Sequence, residues 1–350
     1  MTETDTPNSD QPPAPKSNVC PACGTESPIV YRFCLKCGCR MPNARPIRPA
    51  ATSRHRSSEV RRRRGRRSRT PLIPAGRWRR IVRASLTAVA VACALLMYAY
   101  LVEPNTVVRR DFDIAVENLP PKLDGFRIAQ ISDTHVARIG RRERRAVSLV
   151  NEAQPDVIVL TGDLAGDSHK TRGQRSNDLT MEFVGRLRAK RAVYAALGTW
   201  DTDVLFRRLN QADVPMLIGR SETIEVEGAR IAFAGLTEES RSLAWALREV
   251  EPGATLVVLA ADVSKTSTLD AARAGAVLAL TGARHGGQVR IPLLRRIYWD
   301  GPDIGLRKVN GAMWHYASPG LGTAHTRARF LCPPEVSVFT LRRIPRDSTP

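Results

Sequence analysis

Residues 126–135 have the sequence FRIAQISDTH, and this stretch decides the fold of the C-terminal part of the chain. A short apolar run that ends in polar residues predicts a buried β-strand followed by a loop. Five later stretches have the same form: VIVLTGD (157–163), AVYAALGTWD (192–201), ARIAFAGL (229–236), TLVVLAAD (255–262) and AVLALTGA (276–283). Amphipathic patterns at residues 142–153 and 177–190 predict helices between them. This alternation predicts an α/β domain whose sheets are covered by helices.

Polar residues recur where these predicted strands end. They are Asp133, His135, Asp163, Asp201, Asp262 and His285. A single aspartate at a strand end is more often a cap for the next helix than a ligand. Ligands in such folds nevertheless gather at the carboxyl ends of strands, so the whole set predicts a functional site at that edge.

The order of these blocks is specific. ISDTH (131–135), TGD (161–163), GTWD (198–201) and GARHGGQ (282–288) resemble the motifs of the calcineurin-like metallophosphoesterases. The usual blocks of that family are D-x-H, G-D, G-N-H-[DE], a lone histidine after a strand, and G-H-x-H-G-G. The tail YASPGLGT (316–323), RF (329–330) and CPPE (332–335) resembles the ending of a membrane-associated bacterial branch.

The resemblance covers roughly residues 123–343 and implies a fold and a chemistry. The fold is a four-layer α/β/β/α sandwich, which we expect over residues 111–345. The chemistry is phosphoester hydrolysis by two metal ions, which polarise the phosphate and activate a bridging water.

Transferring the family's ligand roles to this sequence gives a one-sided result. One metal would be held by four residues that are all present: Asp133, His135, Asp163 and His285. The second metal would share Asp163, but its own ligand positions hold Thr199, Ala261 and Ala283. The histidine that steadies the transition state in the family is Trp200 here. The resemblance therefore implies one divalent metal, and two carboxylates with two imidazoles suit Mn, Fe or Zn.

Three residues near the vacated half leave alternatives open. Arg284 could place a guanidinium where the second cation would be, because its planar donor fork suits phosphate oxygens. Asp262, next to the lost histidine, is an alternative oxygen ligand. Trp200 either fills the pocket or offers a stacking face to a ligand. Catalytic residues are therefore unassigned, with Trp200 and Arg284 at active-site positions.

Three functions are compatible with this pattern, and whether the chain is an enzyme stays open. The first is a weak or inactive relative, a pseudoenzyme that keeps one metal and binds phosphorylated ligands. The second is an active mononuclear phosphoesterase acting on envelope or lipid phosphoesters, with Arg284 replacing the second cation. The third is a membrane scaffold whose function lies in the N-terminal region.

That N-terminal region contains a motif of its own. Cys20, Cys23, Cys34 and Cys37 form two C-x-x-C pairs about ten residues apart, which predicts a tetrahedral structural zinc site in a ribbon over residues 19–42. Cys39 is an alternate ligand. Residues 1–18 are rich in Pro, Asp, Ser and Thr and are expected to be a disordered tail. The sequence names no protein partner for the ribbon.

A basic segment and an apolar segment follow the ribbon. Much of the net charge of +20 lies in an Arg-rich linker over residues 43–80, whose place beside the apolar segment favours anionic lipid over nucleic acid. Residues 81–102 are apolar enough for one transmembrane helix. The positive-inside rule places the N-terminus in the cytoplasm and the large domain outside, in a single-pass cell-membrane protein.

Overall fold

A computed structural model of the chain describes residues 17–28, 34, 36–37, 39, 41, 75–166, 174–196, 198–236, 242–262, 265–282, 284–291, 304–324 and 326–344. These residues belong to two units, Met1–Leu72 and Ile73–Pro350.

The first unit contains a short hairpin. Strands β1 (Ser17–Val19) and β2 (Glu26–Pro28) pair antiparallel, and Cys20 and Cys34 are buried beside Met41. The predicted disordered tail, 1–18, was therefore too long by two residues, because residues 17 and 18 belong to β1. Residues 1–16 of the tail, residue 42 of the ribbon and residues 43–74 of the Arg-rich linker lie outside the described residues.

The second unit begins with the predicted membrane helix. Helix α1 (Ala75–Met97) continues as a π-helical turn, Tyr98–Val102. An 18-residue window within Arg77–Asn105 has a mean hydropathy of 2.1, so this helix is long and apolar enough to cross a membrane. The helix begins six residues before the predicted span of 81–102, so the end of the predicted linker 43–80 is helical. Arginine has a high helix propensity, so the helix extends upstream of its apolar part.

The end of this helix is fixed to the large domain. A 3₁₀ turn, Glu103–Asn105, follows it, and Glu103 is only 2% exposed. Its carboxylate accepts hydrogen bonds from the backbone N–H groups of Leu331 (2.9 Å) and Cys332 (2.5 Å). The first strand of the domain starts at Val108, three residues before the predicted start at 111.

The first sheet of the domain has six strands. In spatial order they are β3 (Val108–Glu117), β14 (Glu335–Ile344), β4 (Arg127–Ser132), β5 (Val157–Thr161), β6 (Ala192–Ala196) and β7 (Met216–Leu217). All neighbours are parallel except β14 and β4. The C-terminal strand β14 therefore closes the sheet between its first two strands.

The second sheet also has six strands. In spatial order they are β12 (Gly305–Val309), β13 (Met313–Ser318), β11 (Leu278–Gly282), β10 (Thr255–Ala260), β9 (Ala229–Gly235) and β8 (Ser221–Val226). The four central strands run parallel, and the two edge strands are antiparallel to their neighbours. All six strands predicted from the sequence are present in the two sheets.

Three apolar cores show that the layers are stacked as predicted. Between the sheets, side chains such as Ile128 and Val159 face Phe233 and Leu259. The outer face of the first sheet is covered by α2 (Arg141–Ala153), α3 (Gln174–Val184) and α4 (Asp203–Gln211), and that of the second by α5 (Ser242–Leu247) and α6 (Lys265–Arg273). The four-layer α/β/β/α fold is confirmed. The helix predicted at 177–190 ends earlier, at Val184, where Gly185 follows.

A buried polar network crosses between the sheets. Gln130 donates from Nε2 to Thr161 Oγ1 (2.8 Å) and to the carbonyl of Thr281 (3.0 Å). Thr281 Oγ1 lies 3.0 Å from His315 Nε2, and Arg307 Nε donates to His315 Nδ1 (3.1 Å). Burial, with the charge of Arg307, lowers the pKa of His315 to about 4. His315 is therefore neutral in the folded protein.

We predict that His315 makes the domain sensitive to acid. Because its folded-state pKa of about 4 lies below the ordinary 6.5, the contribution is present above pH 6.5 and is lost as the pH falls towards 4. The loss should approach about 3 kcal/mol. His315→Gln retains a donor and an acceptor but does not titrate. Urea unfolding measures the free energy of unfolding at pH 7 and at pH 4. Between these two pH values the wild type should lose about 3 kcal/mol more than His315→Gln. Equal losses in the two proteins would contradict the prediction.

A second prediction concerns the junction with the membrane helix. Glu103→Ala removes the acceptor of two backbone N–H groups, a buried one on Cys332 and a partly buried one on Leu331. This should cost about 3 kcal/mol and lower the Tm of the detergent-solubilised chain by roughly 6–12 °C. Glu117→Ala, at an exposed position on β3, is the matched control and should change stability by less than about 0.5 kcal/mol. An unchanged Tm for Glu103→Ala would refute the structural role of this carboxylate.

Candidate metal centre

The four predicted ligands of the first metal share an unusual backbone conformation. Asp133 (φ +48°), His135 (φ +41°), Asp163 (φ +49°) and His285 (φ +60°) are all left-handed. Eleven non-glycine residues of the described chain have positive φ, so all four predicted ligands belong to a small set. Strained backbone of this kind concentrates at functional sites, where the surrounding structure holds it.

Three of these side chains meet in a buried cluster. Donor atoms of Asp133, His135 and His285 all lie within 4.8 Å of one another. The two imidazole rings are stacked, with centroids 4.7 Å apart. His285 Nδ1 is buried and has no hydrogen-bond partner among the described residues. Two imidazoles and a carboxylate converging in this way fit one divalent cation.

The fourth predicted ligand lies beside this cluster. Asp163 Oδ1 accepts a hydrogen bond from the backbone N–H of Trp200 (2.9 Å). Its own carbonyl accepts from the N–H of His135 (3.0 Å). Asp163 therefore joins the loop after β5 to the loops after β4 and β6.

Burial dominates the electrostatics of the cluster. It raises the pKa of Asp133 to about 8, with the charge of Asp163 adding to the effect and a hydrogen bond from Ser132 opposing it. Burial also lowers the pKa of His285 well below its ordinary value, and His135 adds to that shift. A bound cation would favour the ionised carboxylate and the neutral imidazoles that metal coordination requires.

Two glycines allow the loops to approach Asp133 closely. A Cβ on Gly282 would lie 2.7 Å from Asp133 Oδ2, and one on Gly320 would lie 2.9 Å from Asp133 Cβ. Gly320 also has a positive φ of 75°. Neither position can carry a side chain without moving the aspartate.

The positions at which the family binds its second metal have different side chains from those of the first metal. Ala261 directly follows β10 and offers a methyl group, and its Cβ lies against Gly162, where a side chain would collide with it. Thr199 is exposed in the turn after β6. Ala283 and the Arg284 side chain lie outside the described part of the structure, and Asp262 is half-buried beside Ala261. By the chemistry of its side chains, this half does not fit a second cation.

Trp200 and Asp201 occupy the loop between the two halves. The Trp200 ring lies edge-on to His135, with centroids 6.3 Å apart, and it is half-buried. Asp201 accepts hydrogen bonds from the backbone N–H groups of Leu164 (2.7 Å) and Gly198 (3.0 Å). Burial raises its pKa to about 7, with the Asp163 charge adding to the shift. Asp201 therefore holds two site loops together.

Sequence reasoning missed the role of Arg329. Its guanidinium is fully buried and donates to the carbonyls of Pro319 (3.1 Å), Gly320 (3.1 Å), Gly322 (2.6 Å) and Cys332 (2.9 Å). Gly322 in turn donates its N–H to the Asp133 carbonyl (2.7 Å). The block containing Arg329 was visible in the sequence, but no sequence pattern distinguishes a buried arginine that binds carbonyls from an exposed one.

The cysteine cluster in the first unit is a separate metal site. Sulfur atoms of Cys20, Cys23, Cys34 and Cys37 all lie within 4.8 Å of one another, with the Cys20–Cys37 and Cys23–Cys34 pairs at 3.6 Å. Tetrahedral zinc with Zn–S bonds of about 2.3 Å needs S···S edges of about 3.8 Å. Hydrogen bonding with Thr25 lowers the pKa of Cys23 to about 6, which favours the thiolate. The predicted cluster fits zinc.

Comparison with known proteins gives consistent results. No protein-family model matches the chain. It is 28% identical over 301 residues to the "Transmembrane protein with metallophosphoesterase domain" of Danio rerio, covering 79% of this chain and 66% of that relative. It is 24% identical over 272 residues to the "Uncharacterized metallophosphoesterase YkuE" of Bacillus subtilis, covering 70% and 89%. A solved archaeal phosphodiesterase aligns with a TM-score of 0.31 at 12% identity, covering 55% of this chain and 83% of that one.

The chain thus spans just under two thirds of its zebrafish relative, at 66%, and most of the bacterial one, at 89%. Both relatives are named as metallophosphoesterases, and the name of the first agrees with a membrane association through α1. The ordered ligand blocks on a four-layer sandwich and these two relatives support a likeness to the calcineurin-like metallophosphoesterases, in a chain that also has a four-cysteine cluster and a candidate membrane helix.

Proposed function

We propose that the large domain holds one divalent cation, binds phosphorylated ligands and hydrolyses phosphoesters weakly or not at all. One observation carries this proposal: three metal donors converge on one side of the site, whereas the other side presents a methyl group at Ala261 and a lone hydroxyl at Thr199. A single neutral hydroxyl beside one shared carboxylate is a poor site for a divalent cation.

The residues that match the family's first metal site would act as ligands of the cation. Asp133, His135 and His285 would hold the cation, and Asp163 would complete its ligands. When bound, the cation supplies a Lewis acid for a phosphate oxygen. Burial lowers the pKa of His285 and so favours its neutral imidazole, and the buried position of the cluster limits competition from water for a phosphate group.

Trp200 is the main reason to expect little turnover. Indole has no proton to give to a leaving group at neutral pH, and the lost general-acid contribution is about 10²–10⁴-fold. Its ring, edge-on to His135, instead narrows the space beside the metal half. Loss of the second cation removes charge stabilisation as well.

We further propose a topology for the chain. The cysteine cluster would hold structural zinc on the cytoplasmic side, where thiolates stay reduced, and the Arg-rich linker would lie on anionic lipid. The large domain would then lie on the opposite side of the cell membrane, because basic residues precede the apolar helix. The partner of the zinc ribbon is not part of this proposal.

The two metal sites can be tested independently. We expect about one zinc in the cysteine cluster and about one Mn, Fe or Zn in the large domain. His285→Ala should remove the metal of the large domain and leave the zinc of the cysteine cluster. Cys34→Ser should remove the zinc and leave the metal of the large domain. Elemental analysis of the purified full chain measures both, and each variant serves as the other's control. Two metals retained in the large domain of the wild type would contradict the proposal.

A repair experiment tests the expected loss of catalysis. Thr199→Asn, Trp200→His, Ala261→His and Ala283→His together restore the missing ligands and the histidine. The repaired chain should bind a second metal in the large domain and cleave bis-p-nitrophenyl phosphate at least about 100-fold faster than wild type. Brisk cleavage by the wild type, abolished by Arg284→Ala, would favour the mononuclear phosphoesterase instead. A metal-free wild-type domain would favour the scaffold.

A further inference from the structure

The candidate membrane helix leads into the metal centre with no flexible linker between them. The end of the helix accepts hydrogen bonds from the large domain: the Ala99 carbonyl accepts from the N–H of Arg329 (2.9 Å), and the Glu103 carboxylate accepts from the N–H groups of Leu331 and Cys332. The rings of Tyr98 and Phe330 meet edge to face, with centroids 6.4 Å apart. The end of the helix is therefore seated on residues 329–332, which we call the docking loop.

The docking loop is bound in turn to the loop that carries His285. Phe330 donates its N–H to the carbonyl of Gln288 (2.8 Å) and accepts from the N–H of Arg290 (2.8 Å). Cys332 Sγ lies 3.6 Å from the carbonyl of His285. Summing these distances with ordinary bond lengths places the Glu103 carboxylate within about 11 Å of the His285 backbone.

Arg329 connects the same loop to Asp133. Its guanidinium binds the carbonyls of Gly320 and Gly322, and Gly322 donates to the Asp133 carbonyl. Burial lowers the Arg329 pKa to about 10, while nearby Cys332, Asp133 and Glu103 oppose that shift, so the side chain stays charged at neutral pH. Helix end, docking loop and metal cluster therefore form one continuous hydrogen-bonded structure.

The length of the apolar segment indicates where this structure would lie relative to the surface of a lipid bilayer. Residues 84–102 carry no charged side chain and would span about 28 Å as a helix at 1.5 Å per residue. A bilayer's hydrocarbon core is about 30 Å thick, so the segment has no excess length. If Arg83 lies at one surface of a bilayer, Glu103 and the docking loop would lie at the level of the other surface.

Apolar side chains are exposed at this level. Leu331, in the docking loop, is 54% exposed and has a positive φ of 54°, which turns it away from the core. Ile291, which ends the described part of the His285 loop, is 41% exposed. Leu101 and Val102 of the helix are exposed beside the junction. We call Leu331 and Ile291 the interfacial pair.

We propose that the interfacial pair rests in the headgroup region of the bilayer that the helix crosses, and that the metal centre takes the phosphate of a lipid headgroup. The proposal rests on the proposed function for its metal and adds the source of the ligand. Because the Glu103 carboxylate is within about 11 Å of the His285 backbone, the site would meet membrane phosphates at a far higher local concentration than soluble ones.

The first test is of position. The full chain is reconstituted in nanodiscs of phosphatidylcholine and phosphatidic acid, with photo-reactive benzoylphenylalanine at position 331. Illumination should give lipid adducts detectable by mass spectrometry. The control is position 225, an exposed site on β8 near the turn that leads into the amino-terminal end of β9, which should give at least tenfold fewer adducts. Equal yields at both positions would overturn the proposal.

The second test is of the ligand. Phosphatidic acid should co-purify with the metal-loaded wild type in native mass spectrometry, and His285→Ala should reduce it severalfold while the cross-link at position 331 persists. Glycerol 3-phosphate should not displace it. Displacement by glycerol 3-phosphate, or retention unchanged by His285→Ala, would overturn the lipid source. A wild type that cross-links at 331 but lacks metal would instead refute the proposed function, so the two failures are distinguishable.

Discussion

The buried guanidinium of Arg329 is the contact on which the site region depends. It places donors on the carbonyls of Pro319, Gly320, Gly322 and Cys332, which come from a chain segment with no regular secondary structure. Buried carbonyls without partners would cost about 1–3 kcal/mol each, so one side chain offsets several penalties. The same segment donates backbone hydrogen bonds to Asp133 and to Glu103. The hydrogen bonds of Arg329 therefore help to position both the ligand Asp133 and the end of the membrane helix.

The metal centre combines a complete structural frame with an incomplete ligand set. Asp201 still joins the loops after β5 and β6, and Gly282 and Gly320 still allow close approach to Asp133. The left-handed backbone at Asp133, His135, Asp163 and His285 is maintained as well. The surrounding structure holds this strained backbone at the four positions that we propose as ligands of one cation.

Much of the frame could be predicted from the sequence because burial leaves a local signal. Runs such as VIVLTGD are apolar on both faces, as strands inside a layered sandwich must be, and all six predicted strands formed. Element ends were less predictable. The helix predicted to reach Lys190 stops at Val184, and the membrane helix starts at Ala75, because glycine and arginine neighbours change helix ends without changing periodicity.

The sequence by itself determined the residue types: which metal donors the chain carries, which it lacks, and that an apolar segment long enough for a bilayer precedes them. Tertiary structure alone decided which donors meet, since Asp133 and His135 come from one loop and His285 from another, and they converge only in the folded domain. It also decided that Glu103 joins residues more than two hundred positions away. Sequence patterns report burial along the chain, but contacts between distant loops depend on hydrogen bonds that any polar residue can make.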